Sequence, residues 1–414
     1  MLETLRSVAS LLLSYGLLIL ANGLFGTLLG LRAKLEGFST EITGFIMAGY
    51  FFGLLLGALY AVRVVAAVGH IRSFAAFASI MSVAVLAHLL KIDPITWTVL
   101  RIVAGFCMAG MIMVTESWIN ERATNQMRGG VLSLYMVTNY LGGGLGQFLL
   151  TVANPAEFQL FVIASIIFSL ALVPILLTRA ITPKSATPGR MSLREMFAIS
   201  PVGVLGTIIA GLNSASLYGL APIYASERGL SIAQISTFMA CMILGGMVLQ
   251  FPIGRLSDRL DRRTVMIFVV MAAAGCAAGI VWINSEVGWP LFLLAAIYGG
   301  LSFTIYPLSI AQVNDLTAPD RRVQVAAGLL IAYGIGSIAG PILASQVMGR
   351  IGPQGLFMFL AVAGCSLVVL TMARTVIRPR SEAKKAPYLP LGTLGMYGKQ
   401  LYGAALKNLQ RKRP

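Results

Sequence analysis

Between two long apolar runs lies the stretch Gly254-Arg255-Leu256-Ser257-Asp258-Arg259-Leu260-Asp261-Arg262-Arg263. Six of its ten residues are charged, whereas only 11% of the whole chain is charged. A charge density this high is expelled from hydrocarbon, so the stretch must lie in water or among lipid headgroups. The flanking apolar runs are therefore predicted to leave the membrane here and to re-enter it.

The composition of the whole chain agrees with this interpretation. Hydrophobic residues make up 57% of the 414 residues, and apolar stretches of 18 or more residues recur along the whole length. A soluble domain of this size needs a more strongly charged surface. The sequence therefore predicts an all-α polytopic membrane protein.

Twelve transmembrane helices are predicted, with an even count that places both termini on one side of the membrane. The predicted spans are 8–31, 42–65, 73–90, 95–118, 130–152, 158–178, 200–225, 232–253, 264–284, 289–313, 323–348 and 353–376.

The basic residues predict the orientation. Of the 31 lysines and arginines, 25 fall in segments that share a face with the termini. The positive-inside rule then predicts that both termini are cytoplasmic. The chain contains no N-x-S/T sequon, which favours the plasma (inner) membrane of a bacterium. The positive-inside rule also explains the net charge of +16 without any nucleic-acid partner.

The chain is predicted to consist of two halves, 1–178 and 200–376, joined by a cytoplasmic linker at 179–199 and followed by a basic cytoplasmic tail at 377–414. Equivalent residues recur at similar offsets in the two halves. The matched pairs are Arg128 and Arg322, Gly142 and Gly336, Gly146 and Gly340, Gly57 and Gly254, and Asn22 and Asn213. Duplicated halves are typical of secondary transporters, which bind solute near the bilayer midplane.

Two motifs resemble those of the major facilitator superfamily. The spacing G-x-x-x-D-R-x-D-R-R in the opening stretch resembles the signature loop after the second helix, which often recurs between the eighth and ninth helices. Arg101 begins R-x-x-x-G, which resembles a signature of the fourth helix. The segment 115–120 resembles a bacterial subgroup whose members mostly lack assigned substrates. The resemblance covers residues 8–376 and implies twelve helices, pseudo-symmetric halves and alternating access.

The resemblance implies a gating role for the opening stretch. Gly254 is expected to allow a tight turn, and Asp258 to accept hydrogen bonds from an approaching helix N-terminus. The stretch also contains three arginines that are expected to pair with Asp261 or Asp315, namely Arg259, Arg262 and Arg263. The alternative is a plain orientation signal without gating.

In the first half the corresponding loop lacks the acid. Glu116, which ends the fourth span, is expected to meet Arg63 or Arg72 and to serve the gate there instead. No aspartate or glutamate lies in the middle of a predicted span, so proton coupling has no obvious carboxylate.

Arg101 is the most informative single residue, because a charge inside a span is unfavourable by a few kcal/mol unless it meets water or a partner. One expectation is a role in the central cavity, in contact with substrate or a proton path. The other is that it snorkels to the outer headgroups. The helices that line the cavity in the superfamily, together with the fifth helix, supply further candidate substrate contacts, which are Asn22, Asn139, Asn213, Tyr298 and Tyr306.

The sequence thus predicts a secondary active transporter, acting as a monomer, that moves a small organic solute with protons as the coupling ion. It predicts no enzyme activity, no cofactor and no metal site, and its partners are the solute and membrane lipids. A lipid or amphiphile flippase and a non-transporting receptor or scaffold remain open. Each polar residue named above could instead serve helix packing alone.

Overall fold

A computed structural model of the chain describes residues 2–122, 128–177, 191–283, 288–318 and 321–377, and these residues are almost entirely helical. The helices up to residue 177 are α1 (Leu2–Leu35), α2 (Thr40–Val68), α3 (His70–Ala87), α4 (Pro94–Arg122), α5 (Arg128–Phe148), α6 (Gln159–Leu170) and α7 (Leu172–Leu176). Those after residue 190 are α8 (Leu193–Ile199), α9 (Pro201–Glu227), α10 (Ile232–Arg259), α11 (Arg262–Trp282), α12 (Trp289–Asp315), α13 (Arg322–Ile351) and α14 (Gly355–Ile377).

The predicted all-α transmembrane fold is confirmed. Among the described residues, eleven helices are long and apolar enough to cross a membrane when α6 and α7 are taken together. The remaining predicted span coincides with α5, a helix of 21 residues that includes Asn139, Gln147 and several glycines. These residues lower its hydropathy, which is why α5 alone does not qualify on composition.

The described residues divide into two compact units. The first contains those of Met1–Phe38 and Phe45–Pro188, and the second contains those of Ser39–Gly44 and Gly189–Thr393. The division at residue 188 falls within the predicted linker. The predicted tail and most of that linker lie outside the described residues.

Glycines bring the helices of the first unit into backbone contact. A Cβ added at Gly53 of α2 would overlap the carbonyl oxygen of Ile102 on α4, and one added at Gly105 of α4 would overlap that of Tyr50 on α2. Small residues at such positions let two helices approach closely, which is common in membranes. The α2–α4 contact therefore has a fixed register, and this register positions Arg101.

The second unit repeats this arrangement. Gly245 of α10 lies against the carbonyl of Ala296, and Gly299 of α12 lies against that of Met242. Likewise, Gly340 of α13 abuts the carbonyl of Leu212 on α9, just as Gly146 of α5 abuts that of Leu20 on α1. The pairing of Gly146 with Gly340, predicted from sequence, thus corresponds to equivalent contacts inside each unit.

One local expectation is wrong. Gly254 makes no turn, because α10 continues through it to Arg259 and only Leu260 and Asp261 separate α10 from α11. The end of the predicted linker forms the helix α8, which begins with a capping box between Ser192 and Glu195. Such reciprocal hydrogen bonds stabilise the start of even a short helix.

Candidate functional site

Arg101 lies inside the first unit and does not reach the surface. Its side chain is only 3% exposed. The guanidinium carbon lies 4.1 Å from the centre of the Tyr50 ring and 5.4 Å from that of Phe25. The expectation that Arg101 snorkels to the headgroups is therefore wrong for this structure.

Two of the three nitrogen atoms of the Arg101 guanidinium group lack hydrogen-bond partners. Its Nε and Nη1 atoms are buried and donate no hydrogen bond. Within the described part of the chain, no carboxylate lies within 4.0 Å of it. Cation–π contacts with two rings stabilise the charge but use none of its N–H groups. Unpaired buried N–H groups are unfavourable, so this group is suited to bind an anion.

Asn22 is joined to the same cluster. The Tyr50 hydroxyl donates a hydrogen bond of 2.7 Å to Asn22 Oδ1. This bond fixes the orientation of the Tyr50 ring under Arg101. Of the residues predicted as substrate contacts, the structure therefore brings Asn22 and Arg101 together through Tyr50.

Asn139 belongs to a second polar cluster in the first unit. Its Oδ1 accepts a hydrogen bond of 2.7 Å from the Tyr15 hydroxyl. The Tyr15 ring stacks on Tyr135 at 4.3 Å, and the Tyr135 hydroxyl donates to Glu116 Oε1 at 2.6 Å. Helices α1, α4 and α5 each contribute to this cluster.

The predicted pairing of Glu116 with Arg63 or Arg72 is wrong. The Glu116 side chain is 1% exposed and turns toward Tyr135, whereas both arginines are exposed. The physical reason is the rotation of α4, which directs Glu116 toward α5 and α1 rather than toward the loop.

In the second unit, Asn213 of α9 is buried, and its Nδ2 lies 3.5 Å from Ser302 Oγ on α12. Its Oδ1 accepts no hydrogen bond. Tyr306 lies one turn further along α12 and packs edge-on against Tyr333, with ring centres 5.0 Å apart. Asn213 and Tyr306 therefore remain candidate solute contacts within this unit.

Tyr298 occupies a different environment. Its ring packs edge-on against Phe357 at 5.3 Å, and Tyr224 packs against the same phenylalanine ring at 4.9 Å. Phe238 completes this aromatic cluster. These contacts favour helix packing for Tyr298, although its predicted role in substrate binding stays a prediction.

The charged stretch forms an ordered cluster around Arg262. This side chain is 1% exposed, and its Nε donates to Asp315 Oδ2 at 2.7 Å. The other end of the guanidinium group donates to Ser257 Oγ and Asp258 Oδ1, both at 3.1 Å. The expected pairing with Asp315 is present, and Arg262 is the arginine that makes it.

Asp261 has another role in the same cluster. It is the N-cap of α11, and its carboxylate accepts a hydrogen bond of 2.9 Å from the backbone N–H of Arg263. An N-cap carboxylate satisfies a free N–H group and complements the helix dipole. Gating by this cluster, including a contribution from Arg259, stays a prediction.

Sequence reasoning missed four residues that complete these clusters, namely Phe25, Tyr50, Tyr15 and Tyr135. Each is an aromatic residue inside an apolar run, where composition gives no sign of a site. Tyr50 could have been found, because the glycines at 49, 53 and 57 recur every four residues and mark the face of α2 that contacts a neighbour. Tyr15 and Tyr135 offer no comparable signal.

The sequence profile of the Major Facilitator Superfamily matches residues 11–202 and 203–409. An uncharacterized MFS-type transporter of Yersinia enterocolitica is 30% identical over 385 residues, which cover 91% of this chain and 97% of that protein. The uncharacterized MFS-type transporter YcaD of Escherichia fergusonii is also 30% identical, over 89% of this chain and 95% of its own. The chain therefore belongs to the Major Facilitator Superfamily, and the relatives named here have no assigned substrate.

Solved structures with the same fold include other transporters. A crystal structure of the nucleoside transporter NupG covers 90% of this chain and 99% of its own, with a TM-score of 0.72 and 14% identity. A bacterial homologue of the human lysosomal transporter Spinster, inward-facing and unoccupied, covers 100% of this chain and 98% of its own, with a TM-score of 0.66 and 16% identity. At these identities the likeness shows the fold alone.

Proposed function

We propose that this chain is a secondary active carrier of the bacterial inner membrane that moves a small organic anion by alternating access. Arg101 is the contact for the anionic group, and the proton gradient drives the movement. The carrier acts as a monomer with both termini in the cytoplasm. Membership of the superfamily supports transport, and the environment of Arg101 supports the choice of an anion.

The observation that carries the proposal is that Nε and Nη1 of Arg101 are buried without a hydrogen-bond partner. A permanently charged group at this depth is unfavourable by several kcal/mol without a partner. An anion that reaches Nε and Nη1 supplies the missing charge and acceptors together. Packing alone would be served better by an apolar side chain of the same volume, since Arg101 makes no protein hydrogen bond through either atom.

The surroundings of Arg101 also favour a particular kind of anion. The Tyr50 and Phe25 rings lie beside the guanidinium group and provide apolar, planar surfaces. Flat organic groups pack well against such surfaces. An aromatic ring that bears a carboxylate or sulfonate therefore matches both the charge and the walls of this site.

A thermal-shift screen with matched ligand pairs tests the proposal. Benzenesulfonate and benzoate are compared with the neutral benzenesulfonamide and benzamide on purified wild type and Arg101→Ala. A ligand that binds the folded protein raises its apparent stability according to its concentration relative to Kd. Loss of hydrogen bonds to a charged group, about 1.5–3 kcal/mol, predicts that Arg101→Ala weakens anion binding about 10- to 150-fold.

Arg63→Ala is the matched control, because Arg63 also lies over a tyrosine ring, 5.1 Å from that of Tyr60, but is exposed. This variant is expected to bind the anions as the wild type does. Equal stabilisation of wild type by the neutral and anionic members of each pair, or equal anion binding by wild type and Arg101→Ala, would contradict the proposal.

A further inference from the structure

A second buried ionisable group in the first unit has no role in anion binding. Glu116 lies in α4, and only 1% of its side chain is exposed. One carboxyl oxygen, Oε1, accepts the hydrogen bond of 2.6 Å from the Tyr135 hydroxyl. The other oxygen, Oε2, is buried and has no hydrogen-bond partner.

No positive charge in the described part of the chain compensates this carboxyl group. Among those residues, no arginine, lysine or histidine has a nitrogen atom within 4.0 Å of it. The titratable groups that face it are Tyr135 of α5 and, behind that ring, Tyr15 of α1. On the α3 side, His70 stacks on Trp118 instead, with ring centres 6.3 Å apart.

An ionised carboxylate in this position would have one hydrogen bond and no counter-charge. Burial of an unpaired charge is strongly unfavourable, and such a group takes up a proton instead. The Tyr135 hydroxyl occupies Oε1, so Oε2 is the atom that is available for the proton. Because Asn139 accepts from Tyr15 at 2.7 Å, the stacked tyrosine pair is anchored and holds Tyr135 in place.

We propose that Glu116 is the proton-binding carboxyl group that couples this carrier to the proton gradient, with Tyr135 as its positioning residue. In the enclosed state the proton is bonded to Oε2. When water reaches the carboxyl group, the O–H bond breaks, the proton passes to water and the carboxylate remains. Coupling in this sense rests on the proposed function, whereas proton binding by Glu116 can be tested without any solute.

The first experiment is an infrared pH titration of the purified protein without ligand, from about pH 5 to about pH 10, a range that begins just above the ordinary Glu pKa of about 4.3 and covers large upward shifts. Wild type is expected to show a C=O band of a protonated carboxyl group at neutral pH that disappears as the pH rises. Glu116→Gln should lack this band. Glu121→Gln is the matched control, because Glu121 is an exposed acid on the same helix, and it should keep the band.

Two further variants separate a specific role from loss of structure. Glu116→Asp keeps an acid and should keep a titrating band, while Tyr135→Phe removes the donor to Oε1 and should move both the band frequency and the midpoint of the titration. A titrating band that is the same in wild type and Glu116→Gln would overturn the assignment. So would a Tyr135→Phe titration identical to that of wild type.

The second experiment tests coupling in proteoliposomes, with radiolabelled benzenesulfonate as the probe because it stays ionised. Glu116→Gln should exchange benzenesulfonate between equal pools but should not accumulate it under an imposed pH gradient. Accumulation equal to that of wild type would overturn coupling through Glu116, and so would loss of both exchange and accumulation. If wild type itself moves no benzenesulfonate, the proposed solute class fails, whereas the infrared band still decides proton binding by Glu116.

Discussion

Replacement of Asp315 by asparagine should destabilise the second unit far more than the same replacement at Asp258. Both carboxylates accept hydrogen bonds from Arg262, whose side chain is 1% exposed. Asp315 is 13% exposed and lies 2.7 Å from Nε, whereas Asp258 is 43% exposed and lies 3.1 Å from Nη2. The two variants therefore remove the same charge from one guanidinium group in two different environments.

The expected magnitudes follow from these exposures. Removal of one partner from a buried ion pair is unfavourable by about 3–5 kcal/mol, because the other charge remains buried. Since Asp315 retains some contact with solvent, we expect a loss of about 2–4 kcal/mol for Asp315→Asn. Asp258 is 43% exposed, so solvent screens its charge, and we expect a loss of only about 0–1 kcal/mol for Asp258→Asn, as for ion pairs with solvent access.

The assay is equilibrium unfolding in mixed micelles titrated with SDS, followed as a double-mutant cycle. Arg262→Ala is combined with each aspartate variant in turn, so that the coupling free energy of each pair is isolated from other contacts of the same residues. The Arg262–Asp315 coupling should exceed the Arg262–Asp258 coupling several-fold. Equal couplings, or a larger one for Asp258, would refute the assignment of Asp315 as the principal partner.

Two further predictions concern the helix contacts and a helix cap. In an SDS titration, Gly53→Ala and Gly105→Ala should lower the free energy of unfolding by about 1–3 kcal/mol relative to Gly275→Ala. The added methyl groups overlap a backbone carbonyl at the first two positions, whereas a Cβ at Gly275 meets no atom within 4 Å and leaves only the gain in helix propensity. Equal effects at all three positions would contradict the close α2–α4 contact. Hydrogen bonds from the backbone N–H and hydroxyl of Thr96 lower the pKa of Asp93 below its ordinary value. This stabilisation is present above the unfolded-state pKa and is lost as the pH falls through the lowered folded-state pKa. The difference in Tm between wild type and Asp93→Ala should therefore shrink on acidification. A difference that grows toward low pH would contradict this prediction.

The helices could be predicted from the sequence because a membrane span requires a long apolar run and satisfies its backbone hydrogen bonds within itself. The boundary at Gly254 could not. A helix that reaches water does not need to stop there, and neither a proline nor a second glycine follows in α10 before Arg259. The charges of the opening stretch therefore mark where the chain meets water rather than where the helix ends.

The candidate sites could be predicted only in part. Arg101 stands out because any charge inside a span does, and Asp315 could be named because it is the acid that ends the tenth span. The Glu116 side chain points toward Tyr135 because of the rotation of α4 about its own axis. A sequence pattern does not predict that rotation closely enough to say which neighbour a single side chain contacts. Tyr15 lies 120 residues from Tyr135 in the chain, so their contact follows from the packing of α1 on α5.

In the proposed function, Nε and Nη1 of Arg101 bind the anionic group of the solute. The most direct measurement is a structure of the carrier solved with benzenesulfonate bound. We expect a sulfonate oxygen about 2.7–2.9 Å from Nε or Nη1 of Arg101, the distance of a charge-assisted hydrogen bond, with the aromatic ring beside Tyr50 or Phe25. Benzenesulfonate bound elsewhere, with Nε and Nη1 of Arg101 still without a partner, would contradict it.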